Sequence, residues 1–209
     1  MRALSVMGCG LLPTLFSVPV LAQAPAETIR PGVFITSTSL DGGNLGGLAG
    51  ADTHCAALAD AADLPSRTWR AYLSTKQENA RDRIGSGPWH NVQGTLVARH
   101  LDDLHFSNMQ FTKANVLNER GNVMKGGGDD PNEHDILTGS NGDGTFSGNS
   151  CEDWTSNSPD VRATVGHFDR AGGGYNPQSW NAAHLSLGCS LEKLRESDGQ
   201  GHFYCFAAD

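Results

Sequence analysis

Four cysteines, Cys55, Cys151, Cys189 and Cys205, constrain this chain more than any other feature. A fifth, Cys9, falls in the opening 22 residues, which carry Arg2, then an uncharged and mostly apolar run, and end in small residues. That pattern reads as an export signal rather than a membrane span, because Pro13 and Pro19 interrupt it and no charged flank follows. Cleavage is expected after Ala22, with Ala24 as the second position. Val6-Met7-Gly8-Cys9 is loosely like a lipidation site, but almost all of the apolar run lies after this Cys, so lipidation is not expected. An even number of cysteines in a secreted or periplasmic chain reads as two disulfides, with three connectivities open. The spacings contain no CxxC, so neither a redox centre nor a four-thiolate zinc site has a local start.

The formal net charge of -8 becomes -9 once Arg2 is removed, and no Lys/Arg cluster stands out. Nucleic acid, heparin-like polymers and anionic membrane surfaces are poor partners for such a chain. No later segment approaches 18 continuous apolar residues, so no membrane span is expected. The remaining length of roughly 185 residues suits one domain with its own core.

Short elements alternate with turn-rich stretches along the chain. F34-I-T-S-T-S reads as a first strand, and D52-THCAALADAADL as a helix capped by Asp52 with Cys55, Leu58 and Ala62 on one face. TWRAYLS, residues 68–74, alternates like a half-buried strand, and KQENARDRI suits a short second helix. The middle holds only brief apolar pieces, among them DILTG, punctuated by NERGN and KGGGDDPN. RATVGHF, NAAHLSLGC and GHFYCFA follow as later strand candidates.

HCAALADAADLPSRTWRAYLST, TGSNGDGTFSGNSCEDWTSNS and LGCSLEKLRESDGQGHFYCFA together resemble endostatin, the C-terminal domain of certain collagens, within the C-type lectin-like superfamily. The resemblance spans residues 33–207 and is specific at both ends. It implies an α+β, C-type lectin-like fold with short helices, a mixed or antiparallel sheet and long loops. It also implies nested disulfides, Cys55–Cys205 and Cys151–Cys189. Endostatin binds heparin through arginines and zinc through an N-terminal histidine cluster. The acidic composition and the His-free stretch QAPAETIRPG lead to neither expectation here.

The loop NGDGTFSGNSCEDWTS, residues 141–156, has the polar and acidic composition of a metal loop. An EF-hand register starting at Asn141 puts Phe146 where the turn glycine belongs. The calcium strand of sugar-binding lectins would need Asp after Trp180-Asn181, where Ala182 stands. The loop therefore reads as a disulfide anchor with a glycine-rich approach, Trp154 packing in the core and a carboxylate accepting backbone N–H bonds. DDPNEHD is the best oxygen cluster for calcium, with Asp130, Asn132, His134 and Asp135 as weak ligand candidates. No cofactor is required on this reading, although calcium is possible.

Eight His are present but no HExxH or comparable spacing, and His134 beside Asp135 is the most site-like of them. His167, His184 and His202 read as strand residues satisfied by local hydrogen bonds. No GxSxG and no nominated carboxylate pair point to a catalytic residue. Aromatic and amide groups suited to a sugar occur twice: Trp89 and Asn91 in GPWHN, and Tyr175, Asn176, Gln178, Trp180 and Asn181 in GGGYNPQSWN. The expectation is a non-enzymatic, lectin-like module for a glycan or cell-surface protein, with a structural envelope or matrix protein and then a metal-dependent hydrolase as alternatives.

Overall fold

The structure is a computed structural model that describes residues 29–106 and 110–209. The expected export signal and its cleavage point lie outside the described residues. The fold is α+β with short helices, a mixed sheet and two disulfides.

Strand β8, Gly199–Ala207, is the longest and organises the rest. Its residues alternate between two apolar environments, as a strand buried on both faces must. Phe203, Cys205 and Ala207 join one cluster with helix α1 (Gly47–Ala61), while Tyr204 and Phe206 join a second, aromatic cluster with Trp89, Phe111 and Trp180. Strands β1 (Val33–Ile35) and β2 (Trp69–Ala71) pair antiparallel with β8, and β5 (Asp135–Leu137) runs parallel to it. The sheet continues through β6 (Thr164–His167) to β7 (His184–Leu185) at its end. A separate hairpin pairs β3 (Trp89–His90) with β4 (Leu96–Ala98). Among the described residues, no helix is long and apolar enough to cross a membrane.

Helix α1 starts earlier than its sequence suggests. Gly46 and Gly47 take left-handed φ of 74° and 69°, which glycine adopts without a Cβ clash, and the helix runs from Gly47. Asp52 is therefore no cap. It sits within the helix, accepts from the Ala71 N–H and pairs with Arg70 and Arg83 at 2.6 and 2.7 Å. The buried helix face is Ala51, Cys55, Leu58 and Ala59, while Ala62 ends the helix. The second helix, α2, is only Ala80–Arg83, and helix α3 spans Leu101–Phe106.

The disulfides are nested as the family resemblance implies: Cys55–Cys205 ties α1 to β8, and Cys151–Cys189 closes the long polar loop. Cys151–Trp154 (α4) is left-handed, with φ of 48°, 55°, 56° and 66° at four consecutive non-glycine residues. Each such residue is disfavoured by Cβ–carbonyl contact, so the surroundings must hold the turn. They do so through the disulfide, through Trp154, fully buried with its indole N–H on the Ser74 carbonyl, and through Asp153 Oδ1, which accepts from the Lys76 N–H. Helix α5 (Leu191–Glu196) then leads into β8 and is capped by the Ser190 hydroxyl.

His202, on β8, is buried and its Nδ1 lacks a partner. Burial pushes its pKa down to about 4, against the opposing charge of Glu119 and with repulsion from His54. Its folded pKa thus lies below the ordinary value of about 6.5, so the unfolded chain binds the proton more tightly. The stability from neutral His202 is complete above about pH 6.5 and disappears as pH falls through about 4, a loss of about 3 kcal/mol. Urea unfolding at pH 7 and pH 4 should show this loss in the wild type and much less of it in His202→Gln. Equal pH dependence of the two proteins would rule out His202 as the source.

Candidate metal centre

Three adjacent strands bring together residues that lie far apart in the chain. Asp135 opens β5 and is directly opposite His167 on β6. His184 on β7 is opposite Val165, two residues before His167 and therefore on the same face. His134 immediately precedes β5, and its ring stacks on His167 with centroids 4.1 Å apart.

All three imidazoles turn Nε2 toward one carboxylate oxygen. Asp135 Oδ1 is 3.6 Å from His134 Nε2, 3.1 Å from His167 Nε2 and 3.3 Å from His184 Nε2. His167 Nε2 and His184 Nε2 are 2.9 Å apart. Zinc bonds of about 2.0 Å in a tetrahedron imply ligand atoms about 3.3 Å apart, close to the separations of His134 and His167 from Asp135 Oδ1.

The opposite ring nitrogens fix the tautomers. His134 Nδ1 faces Asp169 Oδ1 at 3.2 Å, His167 Nδ1 faces the Pro177 carbonyl at 2.9 Å, and His184 Nδ1 faces the Leu185 carbonyl at 3.0 Å. Each partner is an acceptor, so Nδ1 carries the proton and the Nε2 lone pair is directed inward. Two inward lone pairs 2.9 Å apart repel unless a proton or a cation lies between them. Asp135 has the complementary problem: both of its oxygens are buried without a hydrogen-bond donor. A buried carboxylate in that condition is costly. His134, Asp135 and His167 are all buried and form a cluster that could hold a divalent cation, and His184, with its side chain 20% exposed, lies beside that cluster on the solvent side.

The titration behaviour follows the same charges. Burial alone would lower His134, but the bond and charge of Asp169, aided by Asp135, leave it raised. His184 is raised by its contact with Asp135, against burial. Burial would raise Asp135 and Asp169. Two imidazoles hold Asp135 down instead, and His134 with the N–H groups of Gly127 and Ala171 brings Asp169 to about 2.

The glycine loop covers this cluster. A Cβ on Gly172, whose φ is 102°, would lie 2.6 Å from His134 Cε1, and one on Gly174 would lie 2.8 Å from His184 Cδ2. Side chains there would displace the ligand rings.

The proposed sugar-site residues are dispersed. Trp89 and Trp180 are core aromatics whose indole N–H groups bond the Ala207 and Leu104 carbonyls. Asn91 and Asn181 are buried, with amide N–H groups on the Asn115 carbonyl and the Tyr72 hydroxyl respectively. Tyr175, Asn176 and Gln178 are exposed. Of the oxygen cluster, His134 and Asp135 lie in the centre. Asp130 instead offers its carbonyl to Lys125, and the Asn132 side chain accepts from the His134 N–H.

The expectation of a non-enzymatic, carbohydrate-binding module is corrected by the His134–Asp135–His167 cluster, which gives the chain the makings of a catalytic metal site. His167 and His184 were missed because their nearness depends on the register of β5, β6 and β7, not on local spacing. A usable signal was present: DILTG, RATVGHF and NAAHLSLGC are three separate strand-like pieces, each carrying or adjoining one His. No family model matches this chain and no curated protein does either, so its functional reading rests on the geometry of this centre.

Proposed function

We propose that the protein is a metal-dependent hydrolase with zinc as its resident cation. The observation that carries this reading is the buried Asp135 carboxylate, without a donor on either oxygen and ringed by imidazole Nε2 atoms at 3.1 to 3.6 Å. A nitrogen-rich set suits zinc far better than calcium, which takes six to eight oxygens. His134, Asp135 and His167 supply three ligands, and His184 stands at the solvent side, where an exchangeable position is needed for catalysis. A zinc ion in such a site lowers the pKa of bound water and polarises a carbonyl.

The nested disulfides and the helix-then-strand opening support an endostatin-like arrangement over residues 33–207. The apolar leader and the disulfides support an exported, secreted or periplasmic protein.

Equilibrium dialysis against zinc should give one ion per chain at pH 7.5, with binding weakened as pH falls and protons compete for the raised His134 and His184. His167→Ala should lose affinity by about 100-fold or more, comparable to the loss of even an outer-shell partner in known sites. The cobalt-substituted protein should bind a small anion such as azide at its open position, with a visible spectral change. No retained metal would sink the reading, and a spectrum indifferent to azide would indicate a site closed by four protein ligands and refute catalysis.

A further inference from the structure

We infer that Asp169 is the positioning residue of this centre, holding the metal-binding tautomer of His134 and fastening two glycine-containing loops against its ring; this rests on the zinc reading above. Asp169 lies two residues beyond the end of β6, and its side chain is only 4% exposed. Both oxygens are occupied. Oδ1 faces His134 Nδ1 at 3.2 Å and accepts the Ala171 N–H at 3.1 Å, while Oδ2 accepts the Gly127 N–H at 2.6 Å. One buried carboxylate thus joins a candidate ligand to its own following loop and to a loop 42 residues earlier in the chain.

Three N–H donors converge on this group, so it must accept on both oxygens, which an ionised carboxylate does and an amide does not. With Asn here and its oxygen toward Gly127, the NH2 would face both His134 Nδ1 and the Ala171 N–H. The imidazole would then answer by carrying its proton on Nε2, toward Asp135 Oδ1 at 3.6 Å, and would keep no inward lone pair for a cation. With the amide turned the other way, its NH2 would meet the Gly127 N–H donor to donor, a buried mismatch that costs free energy. The charge and the symmetry of the carboxylate are therefore what select the tautomer that can bind metal.

The two loops pack tightly on this pair. A Cβ on Gly126 would lie 2.5 Å from Asp169 Oδ2, and one on Gly127 would lie 3.3 Å from the same oxygen and 3.9 Å from His134 Nδ1. The earlier loop arrives as a formed turn, with the Asp129 N–H on the Gly126 carbonyl and the Gly126 N–H on Asp129 Oδ2. The later loop continues from Ala171 into Gly172, which lies against His134 Cε1. Moving Asp169 aside would release both loops and the His134 ring together. An opening of that kind forfeits the bound cation, so metal loading should hold the loops shut.

The test uses the full chain with zinc alone as the probe. Competition titration should show Asp169→Asn binding zinc about 10- to 100-fold more weakly than wild type, the loss typical of an outer-shell partner. Long-range proton–nitrogen correlation spectra of the chelated proteins, taken well above the imidazole range, should place the His134 proton on Nδ1 in the wild type and on Nε2 in the variant. In the wild type, zinc should slow amide hydrogen exchange at Gly127 and Ala171 by about tenfold or more, a readout that needs no variant to fold. Unchanged zinc affinity in the variant would overturn the positioning role. So would weakened affinity with the proton still on Nδ1, which would mark Asp169 as merely structural. Exchange at Gly127 and Ala171 indifferent to zinc would overturn the coupling of the loops to the metal. These results would leave the zinc reading standing, whereas a wild type that holds no zinc would overturn that reading and this inference with it.

Discussion

Zinc-loaded protein is expected to melt roughly 5 to 10 °C above the chelated protein, and Asp135→Leu to show none of that increment. A ligand bound only by the folded state at 100 times its Kd adds about 2.7 kcal/mol, and each kcal/mol moves the midpoint by about 2 to 4 °C in a chain of this size. The chelated variant supplies the sharper result. Asp135 has no hydrogen-bond donor on either oxygen, so replacing it with an apolar side chain removes a buried carboxylate whose hydrogen-bonding capacity is unmet. Chelated Asp135→Leu should therefore be at least as stable as chelated wild type. If the carboxylate were instead an anchor holding the three strands through the imidazoles, the variant would be strongly destabilised, by about 3 to 5 kcal/mol. Calorimetry of the four states separates these outcomes.

The second large effect concerns Cys55 and Cys205. Their bridge spans 150 residues, against 38 for Cys151–Cys189, so it restrains the unfolded chain more. Loop-closure entropy gives about 5 kcal/mol for the first and about 4 for the second. Replacing Cys55 and Cys205 together with Ala should cost about that larger figure, because both side chains are fully buried and Ala leaves no unsatisfied polar group. Replacing Cys151 and Cys189 should cost less than its own loop predicts, since it also frees the left-handed residues Cys151–Trp154. Denaturant titrations of the two double variants check the order. A larger loss from the shorter bridge would show that native packing around the left-handed turn, rather than chain entropy, sets its value.

Much of this architecture was readable in the chain. The alternation in TWRAYLS marks β2, buried on alternate residues, and the apolar run GHFYCFA marks β8, buried on both faces. Asp52 was misread because its local signal, an acid before an apolar periodic run, is that of a cap, whereas Arg83, 31 residues away, claims the carboxylate. The metal cluster was illegible for a related reason. His134 and Asp135 are neighbours in sequence, but His167 and His184 reach them only through two strand pairings. Local spacing codes for helical zinc motifs and carries no information about cross-strand ones.

Drawing its ligands from β5, β6 and β7 makes the centre a reporter of folding order. A one-residue slip of β6 would turn His167 to the opposite face and present a neighbour in its place. The cation can therefore be captured only after both pairings have reached their final register, late on the folding route. Zinc should leave the refolding rate nearly untouched and slow unfolding, as expected for contacts absent from the transition state.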